Sequence, residues 1–213
     1  MLSVSDASKV ERASEVLRKY VPAESVTGLI ELLYVPQLKF KITRPRKTKF
    51  GDYTYDTKTG NHRITVNSNL NPYAFLVTAL HEIAHYRVRV EYGGNNKPHG
   101  KEWQMIFRDL LKEFMLKVPL PEDIHMALLD YLRKPSASSC SDPDLYRALL
   151  NYNQVKGVLL EEIPEGSTFV AGNKVFTKGR KRVKRFICLE HKTNRAYLVH
   201  GLSEVEVISM SLL

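Results

Sequence analysis

Three side chains within five residues could do chemistry together: His81, Glu82 and His85. Residues four apart on a helix lie nearly above one another, so His81 and His85 can offer their imidazoles to one metal ion. Glu82 lies about 100° round the helix and can reach a water that such a metal polarises, as a general base. Neutral ring nitrogens suit zinc, which needs a third protein ligand and an open fourth position to hydrolyse anything.

The flanking residues read as the helix this pattern requires. Asn71-Pro72 is an N-cap followed by proline at the first helical position. Phe75, Leu76, Ala79, Leu80, Ile83 and Ala84 recur at helical spacing, and Gly93-Gly94 is a stop. For the third ligand, the metzincin pattern would place Gly at 88 and His at 91, where this chain has Val88 and Glu91. His99, just after Pro98, and Glu102 on the next helix both remain, with spacing modestly in favour of His99. Trp103, Ile106, Phe107, Leu110, Leu111 and Phe114 give that next helix an apolar face, in which Trp103 reads as a core wedge.

HEIAHY at 81–86, the step to His99, and HGKEW at 99–103 resemble the SprT-like (Spartan-type) zinc metalloprotease family. KFGDYTY at 49–55 and NHRITVNSNL at 61–70 resemble that family's stretch before its catalytic helix, and the likeness spans about residues 5–120. It implies one catalytic Zn2+ on His81, His85 and His99, with Glu82 as general base. The related eukaryotic proteins cleave proteins attached to DNA, so it also implies DNA and DNA-bound or crosslinked proteins as partners. Many members carry a zinc ribbon of paired cysteines after the protease domain. This chain has only Cys140 and Cys188. With His191 and His200 these make a weak candidate for a structural zinc, and Cys188 reads better as a core residue.

The elements that must position the site complete an α+β chain. An amphipathic helix over 5–20 and a short one over 23–33 precede a strand over 38–43, and Tyr53–Tyr55 and Arg63–Val66 read as a hairpin. Arg63–Asn67 is expected to be a strand that can pair with substrate backbone. Tyr53, Tyr86 and Arg87 are candidates to stabilise an oxyanion. The expected organisation is a zincin-like domain over 1–134, a linker with a short helix over 135–154, and a small basic β domain, SH3-like or a meander, over 155–213.

The net charge is +9 and the pI about 9.5, which favours an acidic partner, most simply nucleic acid. Lys178, Arg180, Lys181, Arg182, Lys184 and Arg185 form the densest basic cluster, and Arg46 and Lys47 a second; both are candidate nucleic-acid contacts. No apolar run of membrane-spanning length or signal peptide is read, and two cysteines make no disulfide framework, so a cytoplasmic chain, potentially nucleoid-associated, is expected. The competing reading is a transcription- or ribosome-associated nucleic-acid-binding protein with a structural or vestigial metal site.

Overall fold

The computed structural model describes residues 4–46, 49–133 and 142–209, and the chain divides into two compact units, Met1–Gln154 and Val155–Leu213. The first unit opens with helices α1 (Val4–Leu17) and α2 (Val26–Leu33), then strands β1 (Leu38–Thr43), β2 (Gly51–Tyr55) and β3 (His62–Asn67). Helices α3 (Pro72–Tyr92), α4 (Lys101–Lys117), α5 (Glu122–Arg133) and α6 (Pro143–Leu150) follow. Among the described residues no helix is long and apolar enough to cross a membrane.

Strand order in the first sheet is β1-β3-β2, with β1 parallel and β2 antiparallel to β3. The expected substrate-pairing role of Arg63–Asn67 is therefore corrected. Both sides of β3 are already hydrogen-bonded, and a central strand has no edge to offer. The free edge near the helices belongs to β2. Phe50 bonds to Asn67 and Asp56 to Asn61 across the hairpin. Antiparallel alternation then turns the backbone groups of Gly51, Tyr53 and Tyr55 outward.

Helix α3 is the centre of the unit. Phe75, Ala79, Leu80, Ile83 and Ala84 are buried in it, and Trp103, Phe107, Leu110 and Leu111 of α4 join them in one core. Asn71 caps α3 by accepting from the Ala74 N–H at 3.0 Å. Its Nδ2 donates to the Leu149 carbonyl and to Asn153 Oδ1, both at 2.8 Å. These bonds correct the expected linker, because α6 packs Leu145 and Leu149 into the first core and is tied to the start of α3. The rest of the proline- and serine-containing stretch, 135–141, lies outside the described residues.

The second unit is a sheet of order β4-β9-β5-β6-β7-β8, formed by Val158–Leu159, Glu204–Ser209, Thr168–Ala171, Lys174–Arg182, Arg185–Glu190 and Ala196–His200 respectively. It is an antiparallel meander whose last strand returns to pair with β5. Leu160, Ile163, Phe169, Phe176, Phe186, Cys188 and Val205 form its separate core.

Asn71→Ala removes a helix cap and leaves the buried Leu149 carbonyl of α6 and the Asn153 side chain without their donor. It is expected to destabilise the first unit by about 2–3 kcal/mol, measured by denaturant unfolding. A loss below about 0.5 kcal/mol would contradict the tie between α6 and α3.

Candidate metal centre

The third and fourth turns of α3 deliver His81 and His85 to one face, and the loop after Gly93 brings His99 over them. The three Nε2 atoms converge, 3.2 Å between His81 and His85, 3.0 Å between His85 and His99, and 3.2 Å between His99 and His81. A tetrahedral zinc about 2.0–2.1 Å from three imidazole nitrogens sets those nitrogens about 3.3 Å apart, close to what is seen. Among the described residues this is the one His/Cys/Asp/Glu group placed to hold a metal ion. Glu102 is not part of it, nor are Cys188, His191 and His200. Cys188 is buried in the second core, while His191 Nε2 bonds Thr177 Oγ1 at 2.8 Å. Cys140 lies outside the described residues.

His99 is held in a left-handed backbone conformation, φ 57°, which histidine adopts more readily than most residues and still at a cost. Gln104 of α4 secures it by donating Nε2 to the His99 carbonyl at 3.1 Å. Trp103 is fully buried behind all three rings, with centroids 4.7 Å from His81, 5.5 Å from His85 and 4.7 Å from His99. Its indole donates to the His81 carbonyl at 3.4 Å. Trp103 is thus the wall of the site as well as a core wedge. His81 Nδ1 is buried without a partner, although a ligand's second nitrogen commonly donates to a carbonyl or carboxylate.

Burial controls the charge. It is the main force pushing His81 down to about 2 and His85 to about 4, with the neighbouring imidazoles adding to it, and burial lowers His99 as well. At neutral pH all three rings are uncharged, so each has one nitrogen with a lone pair to give, which is the state a metal ligand needs. This donor set fits zinc.

Glu82 is also buried, and its carboxylate accepts the outward-facing Tyr53 N–H of β2. Desolvation, reinforced by the Asp52 carboxylate, raises it to about 8 against the opposing pull of Arg46, Lys49 and the Tyr53 amide. A dication beside it would favour the ionised form. Gly51 makes room for it: a Cβ there would lie 2.5 Å from Glu82 Oε1 and 2.8 Å from Thr78 Cγ2. Nothing in the sequence marks Gly51, because a glycine opening a strand reads as part of a turn.

Of the oxyanion candidates, Tyr53 stacks parallel to His85 with centroids 6.4 Å apart, and its hydroxyl bonds His62 Nδ1 at 2.8 Å. Burial pushes the Tyr53 phenol up to about 12. Tyr86 packs edge-on against His62 at 4.9 Å, and Arg87 is half-buried.

Residues 25–122, which hold the first sheet, α3, α4 and all three histidines, match the model of the SprT-like family. The match covers a little under half of the chain, and over this span the chain is similar to the SprT-like family. Its SprT-like domain has the zincin-like fold, and the family is in general one of zinc-dependent metallopeptidases. No curated protein and no solved structure matches the chain significantly.

The expected nucleic-acid contacts fare unevenly. Arg180, Lys181, Arg182, Lys184 and Arg185 are exposed on the β6–β7 hairpin. Lys178 is corrected: it is 4% exposed, donates to the Ile163 carbonyl and sits 4.0 Å over the Phe186 ring, so it supports the second core. Arg46 is half-buried and spends its guanidinium on Asn67 Oδ1 at 2.8 Å and Thr65 Oγ1 at 3.0 Å. Lys47 lies outside the described residues.

An unfolded imidazole titrates near 6.5, so below that value the unfolded chain binds protons that folded His81 and His85 refuse. These two imidazoles therefore make stability rise with pH between about 4 and 6.5, outweighing the single opposite contribution of Glu82, whose raised pKa favours the folded state at low pH, and metal-free protein should lose Tm as pH falls through that window. His81→Leu should flatten that slope, and a Tm insensitive to acidification would contradict the buried, neutral triad.

Proposed function

We propose that the first unit is a zinc-dependent endopeptidase and that the chain acts on proteins bound or crosslinked to DNA. The observation that carries the peptidase reading is the convergence of His81, His85 and His99 beside Glu82, which is itself held against the free edge of β2. An extended polypeptide adding to that edge would find the Tyr53 N–H taken by the carboxylate and would pair with the Tyr53 carbonyl and the backbone of Tyr55 beside it.

When bound, zinc supplies Lewis acidity that polarises a carbonyl and lowers the pKa of water towards about 7. The chain's own residues do the rest. His81, His85 and His99 hold the ion through Nε2 and, being neutral, need surrender no proton to do so. Glu82, once ionised, takes a proton from the attacking water at its carboxylate and returns it to the leaving amine. Gly51 and the Tyr53 amide fix where that carboxylate stands. Trp103 closes the site behind the three rings and keeps water from that side.

The DNA part of the reading is supported by the net charge of +9 and by the exposed cations of the β6–β7 hairpin, where Arg180, Lys181, Arg182 and Arg185 crowd one end of a strand pair. A sheet this basic gains most beside a polyanion.

Glu82→Gln should keep one zinc per chain and an unchanged fold while losing at least about 100-fold in cleavage of a DNA-binding protein, and DNA should raise the wild-type rate. Undiminished cleavage by the variant would contradict the role of Glu82. Cleavage that requires zinc and Glu82 and is indifferent to DNA would leave the peptidase and remove its DNA partner.

A further inference from the structure

The face of the first sheet turned away from α3 carries charge that the metal centre does not use. Phe40 and Ile42 of β1, Ile64 and Val66 of β3 and Tyr53 of β2 pack with the core. Strand alternation therefore points Lys39, Lys41, Arg63 and Thr54 the other way. Parallel pairing sets Lys39 directly beside Arg63, and antiparallel pairing sets Thr54 on the far side of Arg63. Lys39, Lys41 and Arg63 are all exposed, and among the described residues none has a carboxylate within ion-pair distance. The one acid on this face, Asp52, is taken by Lys49 at 2.7 Å.

The loop after β1 folds back over the same face. Asn67 Nδ2 donates to the carbonyls of Arg46 at 3.2 Å and Lys49 at 2.9 Å, while Arg46 reaches Asn67 and Thr65. Lysine on an edge strand commonly guards against unwanted strand pairing, and that explains Lys39 and Lys41 on β1. It does not explain Arg63, which sits on the central strand directly opposite a like charge, a pairing that costs stability unless an anion joins it.

We propose that this outer sheet face, through Lys39, Lys41 and Arg63, binds the phosphate backbone of nucleic acid. The face decides between two kinds of partner. A protein interface needs an apolar and aromatic centre and is poor in lysine, and the patch of Lys39, Lys41, Arg63 and Thr54 has no such centre. Nucleic-acid interfaces are polar and strongly positive, and hydroxyls such as that of Thr54 serve phosphate oxygens. Such contacts position a strand without reading its sequence. The site is distinct from the β6–β7 hairpin, and it holds whether or not the chain cleaves proteins, because binding is read without turnover.

The test uses the full chain and a fluorescent DNA single strand of about 20 nucleotides, with anisotropy followed between about 50 and 200 mM salt. Replacing Lys39→Thr, Lys41→Thr and Arg63→Thr together should weaken binding on the order of 10- to 100-fold and flatten the plot of log affinity against log salt by about 2. Threonine keeps the strand propensity, and a melting curve checks the fold. Independently, on the unsubstituted chain, bound oligonucleotide should protect Lys39 and Lys41 from acetylation, read by mass spectrometry. Unchanged affinity and salt slope in a folded triple variant, equal acetylation with and without DNA, or no binding by the wild type would each overturn the proposal. Equal protection by polyglutamate would assign the face to an acidic protein and overturn it too.

Discussion

The structure depends on keeping three imidazole nitrogens about 3 Å apart, converging on one point. That arrangement is unfavourable in isolation, since the rings gain nothing from each other that water would not supply better. Rigid surroundings maintain it. Two of the ligands ride on a long helix capped at one end by Asn71 and stopped at the other by Gly93, so their separation follows from helix geometry alone. The third is forced into a left-handed conformation and pinned by Gln104. Trp103 and Phe107 fill the space behind, so the rings cannot rotate away. A zinc ion held at the meeting point would give the three nitrogens a common partner.

The same packing sets the chemistry of Glu82. Its carboxylate is enclosed between α3 and β2 in a space that exists because residue 51 has no side chain. Burial and Asp52 raise its pKa, Arg46 and Lys49 lower it, and the Tyr53 amide orients it. The basic loop, the edge strand and α3 are therefore one electrostatic unit, although they are separate in sequence.

What could be read from the residues alone follows this division. Helix α3, its cap, its stop and the shared face of His81 and His85 are local, and local rules recover them. His99 over Glu102 is a matter of how a loop turns; spacing alone favoured His99 only modestly, and the family likeness carried the choice. Strand order escaped, because nothing local tells that β1 pairs parallel to β3 and makes it central. Lys178 read as one more cation in a basic run. Its long stem lets the ammonium reach the Ile163 carbonyl across a hydrophobic floor, which composition cannot reveal. Helix α6 looked like part of a linker because the bonds that hold it come from Asn71, far away in the chain. Gly51 was invisible for the same reason: its importance lies in what it leaves out.

The most direct measurement is X-ray absorption at the zinc edge on the zinc-loaded chain, alongside metal content and His99→Ala. The account predicts one zinc per chain in four-coordinate geometry, with three imidazole nitrogens at about 2.0–2.1 Å and one position open to solvent. It also predicts loss of one nitrogen and weaker binding in the variant. Absence of stoichiometric zinc, or an environment that His99→Ala leaves unchanged, would contradict the three-histidine centre on which the account rests.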